Sequence, residues 1–400
     1  MSTDTLLTPS IITKETLVIL TNNLVMAGRV NRQFEEQMGA KIGTQLTVRK
    51  PNRFTVSSGP GLQVQDVFEP STTITITNQN HVDFEFGSAA LTLVVEEFSE
   101  RYCKPAAEAL ANIVDQTVLQ QIVNVYNEVG TPGTVPNAFS FIALVAQRLD
   151  EEAAPQRDRT LVLNPAAYWK FAVGISTVYV QSVAEPAFKG YAPNIANFEI
   201  YEDQNVPVQT TGLYGSTSPT VNGAGQTGST IVTSGWPTSI TGLLNVGDIF
   251  TIAGVNAINP QSKASTGSLR NFVVTAVTNS NSSGGASISI YPAITPATSG
   301  SAYATTDTAP AAGAAISVIS GSSGQSLSKN IGFCKDAFGL VSVPLIMPDG
   351  VDFKSQEKFK GISLRTIRMY DINNDVLPCR IDVMFGTSTF YPELACRLTN

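Results

Sequence analysis

The sequence TQLTVRKPNRFTVSSGPGLQVQDVFEPSTTITITNQNHVDFEF, residues 44–86, alternates apolar and polar side chains in two stretches. Leu46 and Val48 begin the first stretch, residues 57–61 (SSGPG) form a loop tip, and the alternation resumes at Ile74. A period of two is typical of β-strands, so we predict a long two-stranded β-arm. An isolated ribbon of this kind is marginally stable in water. The arm is therefore expected to find partners outside its own chain.

The arm carries a small cluster of opposite charges. Arg49, Lys50 and Arg53 lie on its first half, and Asp66 and Glu69 lie on its second half. The cluster is too small for a nucleic-acid patch. Opposite charges on a protruding arm favour pairing with a neighbouring subunit, where partial desolvation strengthens ion pairs and fixes register. A merely solvated arm is the alternative, because exposed ion pairs contribute little.

Two helices are predicted on either side of the arm. Residues 12–24 place apolar side chains at helical spacing and indicate an N-terminal helix. Residues 106–129 show the strongest helical pattern, bounded by Pro105 and Gly130, and would be about 36 Å long. We call this predicted element the spine helix.

The next part of the chain alternates helix and strand. We predict a helix over 140–152, a strand over 160–163, a helix from Pro165 and a strand over 198–201. Such alternation is typical of an α/β subdomain.

The C-terminal part returns to strand patterns. Residues 331–344 are strand-like, and residues 362–370 and 379–385 alternate around a turn at 371–375. We predict that the last two stretches form an antiparallel pair that closes a sheet.

Charge is almost absent from one long segment. Residues 204–328 contain only four charged side chains, Asp248, Lys263, Arg270 and Asp307. Short β-branched runs lie between turn residues, and we predict strands at 229–233, 248–253, 271–277 and 286–291. Three Ser/Gly-rich pieces are interpreted as loops, with low-complexity disorder as the alternative: 212–228, 279–285 and 298–313. We predict a small all-β domain inserted into the α/β subdomain.

Composition excludes several classes of function. The chain has 25 Lys+Arg, 32 Asp+Glu and one histidine, His81, with a net charge of -7. This acidic balance argues against a reader of duplex DNA. A single histidine in a strand pattern, with no nucleophile beside it, argues against histidine-dependent catalysis. We predict that the protein is not an enzyme.

The four cysteines predict neither a metal site nor a disulfide framework. Cys103, Cys334, Cys379 and Cys396 are scattered without a C-x-x-C pair. We expect reduced, buried thiols. No signal peptide and no membrane span is indicated, so the expectation is a soluble protein made in a cytoplasm.

Three short motifs mimic functional sites. Residues 223–228 spell G-x-G-x-x-G, but STIVTSGWP follows and does not support the required helix, so a Gly-rich loop is favoured. Residues 371–382 begin like a calcium loop, but Val376 replaces the required glycine, so a hairpin turn is favoured. Glu96, Glu97 and Glu100 precede Arg101, and this mixed-charge junction favours a solvated face or a subunit contact over acid/base chemistry. We predict no cofactor and no metal.

The order of parts and three local stretches resemble one family. Residues 29–33 (RVNRQ) with 43–54 (GTQLTVRKPNRF) resemble the entry into that family's β-arm. Residues 246–254 (VGDIFTIAG) resemble a strand of its inserted domain, and residues 368–372 (RMYDI) with 380–383 (RIDV) resemble its final hairpin. The chain thus resembles the major capsid (coat) proteins of tailed bacteriophages, of the short-tailed type with an inserted telokin-like domain.

The resemblance implies the fold. That fold class is α+β, the tailed-phage major capsid (Johnson) fold, with an N-terminal arm, an extended β-arm, a spine-helix peripheral domain, an axial α/β domain and an inserted all-β domain. The implied divisions are an N-terminal helical arm (1–43), the extended β-arm, or E-loop, with first peripheral-domain strands (44–95), the spine helix (96–135), the first part of the axial domain (136–207), the inserted β-domain (208–328), the return of the axial domain (329–352) and C-terminal peripheral-domain strands (353–400).

The resemblance also implies a structural function. Identical copies would form pentamers and hexamers of an icosahedral shell around double-stranded DNA, which the protein would contact without sequence specificity. A scaffolding protein would guide a precursor shell, which expands when DNA enters through a portal protein; no membrane is involved. The location would be the virion capsid, assembled in the host bacterial cytoplasm. The alternative from the residues is an extracellular β-rich adhesin, fibre or surface-layer protein.

This function singles out three groups of residues. The charged residues of the arm are candidate subunit contacts. The four charges of the insert are the candidates for salt bridges between capsomers. Gly28, Gly39, Gly43 and Gly87 flank the arms and are candidate hinges between pentamer and hexamer conformations.

Overall fold

A computed structural model describes residues 9–34, 45–56, 58–65, 67, 69–87, 102, 104–176, 196–351, 353–359 and 361–400. The chain divides into two compact units. Unit 1 comprises Met1–Val48, Ser71–Leu119 and Phe338–Ser388. Unit 2 comprises Arg49–Pro70, Gln120–Ala337 and Thr389–Asn400.

The described part of the chain is mixed α+β. Its α-helices are α1 (Pro9–Asn23), α2 (Lys104–Leu119), α3 (Phe139–Glu151) and α4 (Pro165–Ser176). Its strands are β1 (Gln45–Arg49), β2 (Ser71–Thr75), β3 (Asn78–Gly87), β4 (Glu128–Val129), β5 (Arg159–Leu163), β6 (Phe198–Glu202), β7 (Val208–Thr210), β8 (Thr220–Val221), β9 (Gly228–Ser234), β10 (Ile249–Ile258), β11 (Ser265–Val274), β12 (Ala286–Ile294), β13 (Ile316–Val318), β14 (Ser326–Cys334), β15 (Phe338–Ser342), β16 (Phe353–Phe359), β17 (Ile362–Arg368), β18 (Val376–Thr389) and β19 (Ala395–Thr399). Short 3-10 turns occur at Gln120–Asn124, Ala297–Ser299, Lys335–Ala337 and Pro392–Leu394.

Unit 1 is built on a five-stranded sheet near the C-terminus. Its order is β15-β18-β17-β16, and β3 also pairs with β18. The pairing of β17 with β18 is antiparallel around the turn at residues 371–375, as predicted. Helix α1 packs on α2 and on strands β16 and β17, where Leu17 and Leu20 are buried.

The end of α1 is held by one buried carboxylate. Asp115 of α2 is 2% exposed and accepts hydrogen bonds from the backbone nitrogens of Val25 (2.6 Å) and Ala27 (2.7 Å). These backbone groups follow a helix that ends at Asn23, so Asp115 satisfies donors that would otherwise lack a partner inside the unit.

The predicted two-stranded arm is shorter than expected. Strands β1 and β2 form a two-stranded sheet, but the third strand of this region, β3, pairs antiparallel with β18 over ten residues. Val82 and Phe84 therefore belong to the C-terminal sheet and not to the ribbon. Alternation predicts a strand but does not identify its partner, and β18 offers a longer edge than β1 does.

The predicted spine helix is also shorter. Helix α2 ends at Leu119, a 3-10 turn follows, and the prediction of one helix to residue 129 is wrong. Beyond Leu119 the chain is rich in β-branched residues, and Glu128 and Val129 pair in parallel with β19 instead. The residue after β4 is Gly130, which has φ +105°. Only glycine fits well there, because an added Cβ would lie 2.9 Å from the carbonyl oxygen of Thr399.

Unit 2 contains a sheet with both parallel and antiparallel pairs, which we call the mixed sheet. Its order is β4-β19-β14-β5-β6, with β7 on the other part of β14. Helices α3 and α4 pack against it around a core that includes Val145, Phe171 and Phe198. The helices and strands predicted between residues 140 and 201 are confirmed, each within about one residue of its observed start.

Unit 2 also contains a six-stranded antiparallel sheet, which we call the insert sheet. Its order is β13-β10-β11-β12-β9-β8, and its core includes Trp236, Phe250 and Phe272. All four predicted strands are present. Strands β7 and β14, which flank the insert sheet in the sequence, pair with each other. That residues 208–328 are an independent domain stays a prediction.

The dinucleotide-like motif lies in a turn between two strands of the insert sheet. Residues 223–228 connect β8 to β9, and a strand follows them where a helix would be needed. The Gln226 side chain holds this turn, because it donates to the carbonyl of Asn222 (2.7 Å) and accepts from the nitrogen of Val232 (2.7 Å). The interpretation as a Gly-rich loop is confirmed.

Candidate assembly surfaces

The arm segment of unit 2 carries a row of exposed apolar side chains, which we call the arm tip. The exposed fractions are 61% for Phe54, 98% for Val56, 91% for Leu62, 85% for Val64 and 67% for Val67. Several large apolar side chains exposed on one short segment favour an interaction site. The charges of the arm were predicted as contacts from the sequence, but these apolar residues were not. The available signal was the alternation that continues through FTV and LQV to the SSGPG loop.

The arm tip is closed at its base by one side chain. The backbone nitrogen of Thr55 donates to Oε1 of Gln65 (2.9 Å), and Nε2 of Gln65 donates to the carbonyl of Thr55 (2.5 Å). The Gln65 amide thus substitutes for a backbone pair between the two halves of the loop. A loop held in this way has less conformational freedom to lose when it binds.

The base of the arm is attached to its own unit by three contacts. Arg53 Nη2 lies 3.1 Å from Glu393 Oε1, and the Arg53 backbone nitrogen donates to the Tyr303 hydroxyl at 3.1 Å. The Lys50 ammonium lies over the Tyr391 ring, 5.0 Å from its centroid. Burial lowers the pKa of Lys50, the nearby Arg53 lowers it further, and Glu393 opposes this shift.

Arg49 and Glu69 pair with each other across the arm. The Nη1 to Oε2 distance is 3.1 Å, and both side chains are largely exposed. An exposed pair of this kind contributes little to stability. Asp66 lies outside the described residues. That these five arm charges contact a neighbouring subunit stays a prediction; in the single chain, Arg49, Lys50, Arg53 and Glu69 each have a partner in their own unit.

Two of the four insert charges are buried. Asp248 is 0% exposed and accepts from the backbone nitrogens of Gly212 (2.9 Å) and Asn245 (2.8 Å). Arg270 is 3% exposed and donates to Glu152 Oε1 at 2.5 Å. Burial raises the pKa of Asp248, and its hydrogen bonds oppose the shift. Both charges therefore have their partners inside the subunit.

The other two insert charges are partly exposed. Lys263 donates to the carbonyl of Ala302, and burial lowers the pKa of Lys263. Asp307 accepts from the backbone nitrogen (2.8 Å) and the side-chain amide (2.8 Å) of Asn256. Their side chains remain accessible, so a salt bridge between capsomers stays a prediction for these two.

The insert sheet and the mixed sheet meet at a cluster of buried charges, which we call the junction. Lys329 Nζ lies 2.7 Å from Glu128 Oε1 and also donates to the carbonyl of Ser320 at 2.8 Å. Arg397 donates to the carbonyls of Gly247 (2.7 Å) and Val123 (2.8 Å). Lys329, Glu128 and Arg397 are 1%, 6% and 0% exposed. A buried charge is tolerated only with such partners.

The junction was not predicted from the sequence. Lys329 and Arg397 are isolated charges beside mostly apolar stretches of sequence, NIGF after Lys329 and LAC before Arg397. These isolated charges were the sequence feature that could have indicated buried ion pairs. Burial lowers the pKa of Arg397 to about 10. Burial also lowers the pKa of Arg270, but the charge interactions and hydrogen bonds with Glu152 and Tyr126 outweigh it, so the net shift of the Arg270 pKa is upward. The Arg270 guanidinium lies over the Tyr126 ring, 4.6 Å from its centroid.

A groove with a volume of about 620 Å³ lies in unit 2, near the base of the arm. Four tyrosines line it, Tyr126, Tyr291, Tyr303 and Tyr391, together with prolines from the arm and the insert sheet. The charged residues of its lining belong to the contacts described above. Arg270 pairs with Glu152, Arg53 pairs with Glu393, and Lys50 lies over Tyr391.

The candidate hinges are partly described. Gly28 is exposed, and a Cβ added there would be 3.7 Å from the nearest atom, the Leu24 carbonyl oxygen. Gly87 is the last residue of β3 and pairs with Val376. Gly39 and Gly43 lie outside the described residues, as do Glu96, Glu97 and Glu100. That these glycines act as hinges stays a prediction.

The described cysteines are buried. Cys334 and Cys396 are free thiols, Cys379 is 3% exposed, and Cys103 lies outside the described residues. Burial raises the pKa of the Cys334 thiol to about 11. No helix in the described ranges is long and apolar enough to cross a membrane.

Comparison with known protein families identifies the kind of protein to which these surfaces belong. The model of the family described as P22 coat protein, gene protein 5, matches residues 1–398. The chain belongs to the P22 coat protein family. This match confirms the expected resemblance to tailed-phage major capsid proteins. The mixed α+β architecture of the described residues agrees with the coat-protein fold that the family implies. The protein is a structural component of the virion capsid, and not an enzyme, and its copies assemble into the shell.

Solved structures give weaker likenesses. The Mycobacterium phage Che8 chain is 12% identical over 94% of this chain and 90% of that one, with a TM-score of 0.49. A chain from the bacteriophage PhiM1 mature capsid is 10% identical over 94% and 86%, with a TM-score of 0.45. The CUS-3 coat protein I-domain is 27% identical over 25% of this chain and 94% of that one, with a TM-score of 0.20. No curated protein sequence matches the chain.

Family membership removes the alternative function. An adhesin, fibre or surface-layer protein was the competing interpretation of the Ser/Gly-rich segment, and the match over nearly the whole chain excludes it. The arm tip and the junction are therefore interpreted as parts of a coat subunit.

Proposed function

We propose that this coat protein forms pentamers and hexamers of an icosahedral shell, and that the arm of each subunit lies over a neighbouring copy. The exposed arm tip supports this proposal more than any other observation. Val56, Leu62 and Val64 are each at least 85% exposed in the single chain. Burying a Val or Leu side chain contributes about 1.5–3 kcal/mol, so each copy gains from a neighbour that covers its tip.

Three further partners belong to the proposal. A scaffolding protein guides a precursor shell in the bacterial cytoplasm, and double-stranded DNA enters through a portal protein while the shell expands. The net charge of -7 supports a wall along which DNA slides, because phosphate contacts from Lys and Arg dominate tight DNA binding. The DNA is held without sequence specificity.

The insert sheet has a structural role in the same proposal. Its buried charges support a stabiliser of the single subunit, while Lys263 and Asp307 are left accessible for contacts between capsomers. The charged arm residues Arg49, Lys50, Arg53 and Glu69, with Asp66, would set the register of the arm on its neighbour.

Expression in a bacterial host, with and without a candidate scaffolding protein, tests the proposal. Velocity sedimentation and negative-stain microscopy of the lysate then report the products. Closed shells of uniform size with pentameric and hexameric capsomers are expected, and the scaffolding protein should narrow the size distribution. A monomer or small oligomer under every condition would contradict the proposal.

The contribution of the insert charges is tested separately. Lys263→Ala and Asp307→Asn remove partly exposed charges that also form hydrogen bonds inside the subunit, so thermal unfolding of each monomer serves as the control. A lower yield or lower thermal stability of the shells would support contacts between capsomers. Shells that match the unmodified protein in both measurements would remove Lys263 and Asp307 from the interface.

A further inference from the structure

We propose that the tyrosine-lined groove of one subunit receives the arm tip of a neighbouring copy, with Leu62 and Val64 as the inserted side chains. This inference rests on the proposed shell function and names the surface on which the arm binds. The contact is heterologous, because the tip and the groove are different surfaces of the same chain.

The size and chemistry of the groove fit two apolar side chains. A volume of about 620 Å³ lies within the usual range for a binding pocket, and tyrosines supply large, rigid contact area at low entropic cost. Of the lining tyrosines, Tyr126 is 2% exposed and Tyr291 is 38% exposed. Interfaces concentrate their binding energy in such aromatic, water-excluding pockets.

The paired charges of the groove lining favour an uncharged segment as the bound partner. Both carboxylates in the lining are paired with arginines. Among the described lining residues, Lys50 is the only cation without a carboxylate within salt-bridge distance, and it lies over an aromatic ring. A strongly charged ligand would find little compensation there. Residues 54–65, which include Leu62 and Val64, contain no Asp, Glu, Lys or Arg, so this part of the arm tip enters without the cost of burying a charge.

The geometry of the arm tip fits as well. In an extended segment, residues two apart lie on the same face, about 7 Å from each other, so Leu62 and Val64 can enter one groove together. The Gln65 side chain already restrains the base of the loop. Residues 53–62 span up to about 30 Å, which is enough to reach an adjacent subunit.

The occupant comes from another copy and not from the same chain. Leu62 is 91% exposed and Val64 is 85% exposed, so neither side chain occupies its own groove. A tip on one surface and a groove on another link copies head to tail, and such contacts close into rings when the rotation between copies permits it. Pentamers and hexamers are rings of this kind.

Site-specific photo-crosslinking in assembled shells tests the inference. The photoreactive residue benzoylphenylalanine replaces Leu62 in the full chain, and shells are irradiated and run on a denaturing gel. A ladder of covalent multimers is expected, with adducts that map to the groove-lining segments 50–53, 258–261, 291–305 or 391–394 of another copy. The same probe at Val277, which is 58% exposed in the insert region, should not label those segments.

A groove-filling variant gives an independent measurement. Gln261 is an exposed residue of the groove lining, so Gln261→Trp should fill the groove and leave the monomer folded, as thermal unfolding can verify. Shell formation should slow at least tenfold. Gln156→Trp places the same side chain at an exposed site outside the groove and should assemble like the unmodified protein.

The outcomes separate this inference from the proposed function. If the unmodified chain forms no shells, the proposed function fails. If shells form but the adducts map only to other segments, or no ladder is produced, the groove inference is overturned whatever the tryptophan variants do. Normal assembly of Gln261→Trp, once it is shown to be folded, also overturns it.

Discussion

The arm tip and the junction distribute polar and apolar groups in opposite ways. The arm tip exposes Val56 and Leu62 to solvent, whereas the junction buries Lys329, Glu128 and Arg397 inside the subunit. Every charge of the junction has a partner in its own chain, and the large apolar side chains of the arm tip remain mostly exposed. The comparison indicates that the junction is complete in one subunit and that the arm tip is completed only by another copy.

The largest expected effect is at the centre of the junction. Arg397→Ala would remove the donor to the carbonyls of Gly247 and Val123 and leave Glu128 with one cation. Breaking a buried charge pair in this way costs about 3–5 kcal/mol. The free energy of unfolding of the monomer, from urea titration, should fall by that amount.

A surface arginine provides the control for this prediction. Arg157 is exposed in unit 2, and Arg157→Ala should change the free energy of unfolding by less than about 0.5 kcal/mol. Equal effects of the two substitutions would mean that the junction is not the stabilising feature that its burial suggests.

The second expected effect concerns the pair between Arg270 and Glu152. Arg270→Met alone would leave a buried carboxylate unpaired, at a cost of about 3 kcal/mol. Adding Glu152→Gln removes the unpaired charge, so the double variant should recover at least about half of the loss, since neutral replacements of buried pairs are tolerated. The measurement is a double-mutant cycle in urea. A double variant as unstable as the sum of the single ones would contradict the ion pair.

The third expected effect is a pH dependence at Tyr126. Burial raises the pKa of Tyr126 well above 10.0, so the unfolded chain loses this proton before the folded chain does. Stability should therefore be full below pH 10 and should fall as the pH rises above it, because the unfolded state then binds fewer protons. Each unit of difference in pKa corresponds to about 1.4 kcal/mol.

Tyr126→Phe isolates this contribution. The variant loses the hydrogen bond from Tyr126 to Glu152 and should be less stable by about 1 kcal/mol at pH 7. Between pH 10 and pH 11 its stability should decline less steeply than that of the unmodified protein. Parallel declines would show that Tyr126 does not titrate as its burial requires.

The smallest expected effect on stability is at the arm tip. Leu62→Ser with Val64→Ser should change the free energy of unfolding by less than about 0.5 kcal/mol, because both side chains are already exposed. The same double variant should greatly reduce the yield of shells in a sedimentation assay. A stability loss like that of Arg397→Ala would contradict the difference between the two regions.

Most individual strands and three of the four described helices could be predicted from the sequence. Short strands of the insert sheet are bounded by turn residues. The strands at 229–233 and 286–291 could therefore be predicted without knowing which strands they pair with. The C-terminal hairpin was predictable for the same reason, because its turn and both strands are adjacent in the sequence.

Partner choice was not predictable. Strand β3 pairs with β18 across almost the whole chain, and the end of the predicted spine helix became a strand because β19 lies beside it. Local periodicity contains no information on such distant edges. The junction was missed for a related reason, since Lys329 and Glu128 are far apart in the sequence and meet only after folding.

Hydrogen–deuterium exchange of the arm, in free subunits and in assembled shells, tests most directly whether a neighbouring copy completes the arm tip. Backbone amides of residues 54–65 should exchange rapidly in the free subunit and become protected in the shell, while amides of 329–333 and 395–399 at the junction should be protected in both. Arm amides that exchange equally fast in both states would contradict the central claim that the arm tip is an interface between copies.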